Sequence, residues 1–313
     1  MTTADGEPTA ASVREAARRI AGLVHRTPLL TSRQLDERSG ATVVVKCEHL
    51  QKIGAFKARG ATNAVRSLAP ETLARGVACH SSGNHGQALA WSAREAGTSA
   101  WVVVPDTANP VKVEAIRDYG ATIVPCAFGL AAREAKVAEV LAETGATGVH
   151  PYDQPAVISG AGTAALELLD DRPDLEVVLA PVGGGGLLSG TTLIAADRAE
   201  VWGAEPVAAD DAARSLAAGE RLDQQAPDTL ADGLTTSLSE RTFGIISGGV
   251  TAIATVSEDE MVEAMRFVWS RMKQVIEPSA AVPFAVLVRG DLAGRRVGVI
   301  SSGGNVDLAS LPW

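Results

Sequence analysis

Three short apolar runs in this chain each lead straight into a glycine-rich turn, and no other feature limits its folding options as much. Val77-Ala78-Cys79-His80 runs into Ser81-Ser82-Gly83-Asn84-His85-Gly86, and Val178-Leu179-Ala180-Pro181-Val182 into Gly183-Gly184-Gly185-Gly186. Val297-Gly298-Val299-Ile300 runs into Ser301-Ser302-Gly303-Gly304-Asn305. The first two turns open onto helical patterns. In open α/β sheets, ligands bind outside the carboxyl ends of the strands, where such turns lie. Residues 43–45, 100–104, 122–124, 177–180 and 297–300 read as buried parallel strands. Residues 12–24, 87–96, 110–119, 131–144, 187–198 and 258–273 read as helices. The last begins with a capping box, Ser257 standing three residues before Glu260. Strands alternating with helices imply an open α/β sheet. Residues 208–239, with scattered Asp, Gly, Pro and Ser, read mostly as a surface excursion without chemistry.

At 313 residues the chain suits one two-lobed unit or two small domains. A net charge of -9 without a Lys/Arg cluster argues against nucleic acid and anionic membranes as partners. Cys47, Cys79 and Cys126 sit in apolar contexts without metal-ligand spacing, so buried thiols in a reducing cytoplasm are expected. Residues 1–11 are polar with no apolar core of a signal peptide, and no run of 18 apolar residues exists to span a bilayer.

The four consecutive glycines carry a specific expectation. Without Cβ atoms, their N–H groups can converge on one anion, and a helix N-terminus adds favourable potential. A flexible hinge is the plain alternative. No Gly-Lys-Ser/Thr follows, so a single terminal phosphate suits the turn better than a nucleotide triphosphate. Gly184-x-Gly186-x-x-Ser189 also approaches a dinucleotide fingerprint, and Glu205 lies where a ribose-binding acid would stand. This segment alone leaves a nicotinamide enzyme open.

The stretch Lys46-Cys47-Glu48-His49-Leu50-Gln51-Lys52-Ile53-Gly54-Ala55-Phe56-Lys57-Ala58-Arg59-Gly60 decides between them. It resembles the cofactor-lysine segment of the fold-type II pyridoxal-phosphate enzymes. With Ser-Ser-Gly-Asn-His-Gly, the glycine run and Ser-Gly-Gly-Asn in the same order, the chain is similar to the serine/threonine dehydratase and serine racemase branch. The likeness runs from Arg26-Thr27-Pro28-Leu29 to Ser302-Gly303-Gly304-Asn305. It implies a tryptophan synthase beta-like α/β fold of two open twisted lobes with the cofactor in the cleft. Residues 1–46 and 150–313 would form the large domain and 47–149 a small mobile one, closing to exclude water.

The resemblance also implies roles residue by residue. Lys57, flanked by Phe56, would hold pyridoxal 5'-phosphate covalently and serve as general base. Asn84 would meet the ring oxygen, Gly183, Gly184, Gly185, Gly186 and Leu187 the phosphate, and Ser302 the pyridine nitrogen. A hydroxyl at that nitrogen leaves it largely unprotonated, which favours elimination over a long-lived carbanion. Ser81, Ser82, Gly83, Asn84 and His85 would grip the substrate carboxylate, with Ser82 on the ring face opposite the lysine. His85 is expected to orient and not to act as a base.

Glu205, the Ala209 carbonyl and Asp211 match the family's divalent-cation site, for which oxygen ligands suit Mg, Ca or Mn; a solvated acidic loop is the alternative. Ala132-Arg133-Glu134 resembles a Ser-Arg-Glu stretch of the racemases, and the change to Ala132 counts against racemase specificity. Ala55 and Ala58 replace a frequent Ser and a bulkier residue without removing a group the chemistry needs. The chain stops at Trp313, so the regulatory domain of biosynthetic threonine dehydratases, and feedback inhibition by isoleucine, are not expected.

The implied activity is an ammonia-lyase converting L-threonine, L-serine or a related β-hydroxy amino acid to a 2-oxo acid and ammonia, in a cytoplasmic homodimer. Serine racemisation and 3-hydroxyaspartate dehydration, with Arg133 on the second carboxylate, are the alternatives. A nicotinamide dehydrogenase, a β-replacement synthase and a silent binding protein are rivals that leave parts of the motif set unexplained.

Overall fold

Apolar runs with no polar alternation make strands that need cover on both faces, and the computed structural model, which describes residues 6–108, 110–224 and 226–313, provides it. Residues 1–5 of the polar leading segment lie outside the described residues. Ten strands form two sheets. They are β1 (Leu29–Thr31), β2 (Thr42–Cys47), β3 (Val77–His80), β4 (Ala100–Pro105), β5 (Thr122–Cys126), β6 (Thr147–Gly148), β7 (Val177–Pro181), β8 (Glu200–Pro206), β9 (Ala252–Val256) and β10 (Arg296–Ser301).

The six-stranded sheet has the order β1-β2-β10-β7-β8-β9 and the four-stranded sheet β5-β4-β3-β6. All pairings are parallel except β1 with β2. The smaller sheet draws wholly on residues 77–148; the larger uses 29–47 and 177–301. In the larger sheet Val297 pairs with both Val43 and Val177. Val43, Val45, Val177, Leu179, Val297 and Val299 bury into a core with Met261 and Phe284. Their alternates Val44, Val178, Ala180 and Ile300 face a second core with Val13, Leu168 and Leu169. Residues of opposite parity thus fill opposite cores, as the pleat requires.

The helices expected at 87–96, 110–119 and 131–144 are present as Asn84–Ala96, Pro110–Asp118 and Leu130–Thr144. The one expected at 187–198 is Gly186–Ala195. The first helix is Ala10–Ile20, shifted from 12–24 because Thr9 forms the capping box with Ser12. The capping box at Ser257 and Glu260 forms, but the α-helix stops at Phe267 and continues as a π-turn over Val268–Met272, with Lys273 left-handed at φ 59°. Residues 208–239 lie mostly at or near the surface, as read, but they are more ordered and better anchored than a plain loop. They contain the helix Asp211–Ala218, and Ala209, Ala212, Ser215, Ala231, Leu234 and Leu238 are buried. Asp232 of this segment is ion-paired with Lys112, tying it to the helix that follows β4.

Seven α-helices among the described residues have no counterpart in the periodicity reading, the longest being Lys57–Arg66, Pro155–Asp171 and Pro278–Arg289. Lys57–Arg66 packs between Pro155–Asp171 and Asn84–Ala96, so the candidate lysine starts a helix held from two sides.

A buried ion cluster locks that helix. Arg59, fully buried, donates from Nε to Glu48 Oε2 at 2.7 Å and from Nη2 to Glu48 Oε1 at 2.8 Å. It also reaches Glu167 through Nη1 and Nη2, each at 2.8 Å. Lys46 Nζ donates to Glu167 Oε2 at 2.6 Å and to the Thr27 carbonyl at 2.8 Å. Thr27 Oγ1 caps Glu48 at 2.5 Å. Burial by itself pushes the Glu48 carboxyl up, but Arg59 and Thr27 hold it below its ordinary value. Lys46, Glu48 and Arg59 of the cofactor-lysine stretch are therefore anchors. Replacing Arg59 with Ala should lower unfolding stability by about 3–5 kcal/mol, because it strands Glu48 without its counter-charge. Urea titration at pH 7 checks this; a loss below about 1 kcal/mol would contradict the anchoring role.

Candidate active site

Each glycine-rich turn lies at the carboxyl end of its strand, and chain segments bind the turns to one another. Lys57 opens its helix directly after Phe56, whose N–H donates to the Ser302 carbonyl at 2.9 Å. Ala55 bridges to Gly303 in the same place. The lysine motif is thereby stitched to the turn after β10, and Ser302 is buried there.

Lys57 is turned inward. Its Nζ donates to the Pro151 carbonyl at 2.7 Å and lies 5.1 Å from the centroid of the Phe56 ring. Burial pulls the ammonium down to about 8, opposed by the charge of Glu277. An amine of that kind is a nucleophile and base near neutral pH. The next residue after Pro151, Tyr152, lies against the tetraglycine turn. A Cβ on residue 184 would fall 2.4 Å from its ring, and one on residue 186 3.0 Å from its Cβ. Gly185 adopts φ +85°, which disfavours any side chain, and it caps the helix Gly186–Ala195. Glycine at this turn thus lets its backbone approach a neighbour closely, while Gly186 and Leu187 present the first N–H groups of a helix. Two chain positions, Pro151 and Tyr152, connect the lysine to the candidate phosphate cradle.

Ser81 Oγ accepts from the Gly83 N–H at 3.3 Å, and Ser81, Ser82 and Gly83 lead into the helix that starts at Asn84. His85 Nε2 donates to the Val149 carbonyl at 3.0 Å, while its Nδ1 is buried without a partner. Burial first, then the nearby Lys57 charge, push His85 down to about 3. It is neutral at any working pH, which fits orientation and not proton transfer.

Arg133 lies one turn into the helix Leu130–Thr144, half-buried, with Nε lacking a partner. Burial first, then the Arg133 charge, depress His80, at the end of β3, whose Nδ1 also lacks a partner.

Glu205 ends β8 with Oε1 and Oε2 accepting from the N–H groups of Ala212 (3.2 Å) and Ala213 (2.8 Å). Turned inward this way, it is not placed as an open ribose acceptor. Asp211 Oδ2 accepts from the Leu238 N–H at 3.2 Å, and Oδ1 is buried and unpartnered. Burial drives both carboxyls up, Glu205 to about 9 and Asp211 to about 6. Ala209 is buried between them in the chain. Among the described residues no three His, Cys, Asp or Glu side chains gather as a metal site. The candidate set is therefore two carboxylates and a backbone carbonyl, and an orphaned buried oxygen is what a cation would satisfy.

Sequence reasoning gave no role to His80 and Asn305, although both stand in the motifs quoted above, and missed Pro151, Tyr152, His150 and Glu277. His150 stacks edge-on between His80 and Tyr152, with ring centroids at 6.1 and 4.7 Å. The available signal was His150-Pro151-Tyr152-Asp153 itself, a turn after a strand too short to notice.

Comparison with known proteins agrees with this geometry. Residues 20–303 match the family described as pyridoxal-phosphate dependent enzyme, and the chain belongs to it. Its fold is the fold-type II architecture. The chain is 46% identical to a beta-hydroxyaspartate dehydratase of Paracoccus denitrificans, covering 98% of this chain and 99% of that one. It is 44% identical to the serine racemase of Dictyostelium discoideum, whose crystal structure superposes with a TM-score of 0.92 over 96% of this chain and 99% of that one. The crystal structure of a T.th. threonine deaminase, also 44% identical, gives a TM-score of 0.92 over 97% of this chain and all of that one. No helix among the described residues is long and apolar enough to cross a membrane.

The lowered Lys57 value predicts how cofactor-free protein captures pyridoxal 5'-phosphate. The capture rate should rise with pH to a midpoint near 8 and then level off, since the amine is uncharged above that value. Stopped-flow absorbance from pH 6 to 11 reads this; a midpoint near 10.5 would contradict the desolvated environment.

Proposed function

We propose that this enzyme is an ammonia-lyase for small β-hydroxy amino acids, acting through Lys57. The observation that carries the reading is the Lys57–Pro151 hydrogen bond, which sets the amine beside the segment that lies on the glycine turn. Pyridoxal phosphate, when bound, supplies an electron sink for the α-carbon of an attached amino acid. Gly183, Gly184, Gly185, Gly186 and Leu187 would hold its phosphate, Asn84 would face its ring oxygen and Ser302 its ring nitrogen, with Phe56 flanking the lysine. Ser81, Ser82 and Gly83 bind the substrate carboxylate by N–H groups at a helix start, with His85 holding that loop through Val149.

With the site loaded, the free Lys57 amine would take the α-proton and return it to the departing β-hydroxyl. The Cα–H and Cβ–O bonds break, the C–H electron pair forms the Cα=Cβ bond, and water leaves. Hydrolysis of the resulting enamine gives a 2-oxo acid and ammonia: pyruvate from serine, 2-oxobutanoate from threonine. If Ser82 delivers a proton to the opposite face instead, racemisation competes.

Arg133 favours a second reading. Its unpartnered Nε beside His80 suits a substrate with a further carboxylate, so 3-hydroxyaspartate is the rival substrate, and the Paracoccus relative supports it. Free buried Cys47, Cys79 and Cys126 support a reducing compartment such as the cytoplasm. A homodimer is proposed from the family likeness, and size-exclusion chromatography tests it.

Lys57→Ala should reduce 2-oxo acid release on the order of a thousandfold or more; near-normal turnover would end the assignment. A panel of L-serine, D-serine, L-threonine and the 3-hydroxyaspartates then separates the substrates. Arg133→Ala should cut kcat/KM at least about 100-fold for 3-hydroxyaspartate but under about threefold for threonine if the second carboxylate binds there. Equal losses would exclude that role.

Glu205, the Ala209 carbonyl and Asp211 are proposed to hold Mg, Ca or Mn. Asp211 meets Leu238, which in turn lies on Gly185, so a cation there braces the phosphate turn. Saturating Mg²⁺ or Ca²⁺ should raise Tm by about 5 °C in the parent and leave Asp211→Asn unmoved. The same shift in both would refute the site.

A further inference from the structure

Glu277 is a buried carboxylate that the proposed chemistry leaves without a task. It is 5% exposed, directly before the helix Pro278–Arg289, and its side chain does not cap that helix. Among the described residues it forms no ion pair; its charged surroundings are Lys57, Lys112 and Asp232. Its side-chain contacts are instead with Asn84 and Asn305. Asn84 Nδ2 donates to Oε1 at 2.9 Å and Oε2 at 3.1 Å, and the Asn305 N–H donates to Oε2 at 3.2 Å. A Cβ on residue 303 would lie 2.4 Å from Oε1, so the first glycine of Ser302-Gly303-Gly304-Asn305 makes room for this carboxylate. Burying a carboxylate without a counter-ion is costly, and burial pushes Glu277 up to about 7.

The donors and acceptors form a chain with one permitted direction. The Ile53 carbonyl can only accept, and Asn305 Nδ2 donates to it at 2.7 Å. The same nitrogen donates to Asn84 Oδ1 at 2.8 Å. That fixes the oxygen end of Asn84 towards Asn305 and its NH2 end towards Glu277. The two oxygens share one carbon and lie at 2.9 and 3.1 Å from Nδ2, too close together in direction to take both diverging N–H bonds, so one N–H serves the carboxylate and the second is left for another acceptor. Ile53 is itself held at φ 57°, an unfavourable backbone for a β-branched residue, with its carbonyl on Asn305.

We propose that Glu277 is a positioning residue which, with Asn305, holds the Asn84 amide so that its free N–H faces the ring oxygen of the cofactor. The proposal rests on the reading that Asn84 meets that oxygen. Removing the carboxylate frees the amide to rotate, and the ring then loses its donor. Removing Asn305 leaves Asn84 Oδ1 without its donor, so the amide can tilt about its contact with Glu277 and its second N–H loses its aim.

The test uses the full-length holoenzyme and the visible absorption of its bound cofactor as a function of pH, alongside steady-state kinetics. Asn84→Ala should shift the midpoint or the band maximum of that absorption, reporting a lost hydrogen bond to the ring oxygen. Glu277→Ala should shift it in the same direction by about one pH unit and lower kcat by about 10–100-fold, with KM held within about threefold. Glu277→Gln, which keeps one acceptor, should restore most of both. In the Asn84→Ala background, Glu277→Ala should add nothing, the mark of two residues acting through one contact. If Glu277→Ala does not fold, Asn305→Ala must give the spectral shift instead.

An unchanged spectrum in Asn84→Ala would mean that the reading of Asn84 is wrong. A shift in Asn84→Ala but none in Glu277→Ala or Asn305→Ala, or fully additive effects in the double variant, would overturn the positioning role while leaving that reading intact.

Discussion

The ion cluster of Lys46, Glu48, Arg59 and Glu167 is the constraint on which the rest of this structure depends. It joins β2 of the six-stranded sheet, the turn after it, the Lys57 helix and the helix Pro155–Asp171 in one buried network. Such clusters contribute little net stability against an apolar core of equal volume, because desolvation offsets most of the Coulomb gain. Their contribution is register: only one placement of the helices satisfies every donor and acceptor. Arg59 lies two residues past Lys57, so fixing its guanidinium fixes the first turn of that helix and the direction in which the Lys57 amine leaves it.

From that fixed turn the site is assembled by short backbone ties. Phe56 to Ser302, Lys57 to Pro151 and His85 to Val149 each join residues far apart in sequence by a single hydrogen bond to a carbonyl. Backbone acceptors do not titrate, so the frame keeps its geometry across the pH range in which the amine changes charge. Titratable groups are confined to a few desolvated positions: Lys57 near 8, Glu277 near 7, and histidines driven well below neutrality. Groups poised around neutrality are those expected where protons move.

Much of this was legible in the sequence, for physical reasons that also explain the gaps. Strands such as β7 and β10 are buried on both faces and read as unbroken apolar runs. The helices at 110–118 and 130–144 bury only Ile116 and Val140 and mix charged with apolar residues, so they read as surface helices. Pro155–Asp171 and Pro278–Arg289 are buried almost all round, built largely from Ala, Gly and Val, and interrupted in the second case by Pro283. Without a polar face there is no stripe to detect. In the candidate site, Lys57, Asn84 and the glycine turn carry family motifs, which is what made them candidates in the sequence. Glu277 stands before a proline and reads as an ordinary helix start, while Tyr152 follows a strand of two residues. Neither residue announces itself until the chain is folded.

The pairing of Lys112 with Asp232 has a consequence for exchange with solvent. It ties a helix of the four-stranded sheet to the segment that walls the glycine turn, and its carboxylate is 61% exposed. An ion pair so open to water contributes at most about 1 kcal/mol, roughly a fivefold bias between tied and untied arrangements. That is a soft detent. It would keep the two segments tied most of the time yet let them part by thermal motion, and dissolved salt would loosen the tie further.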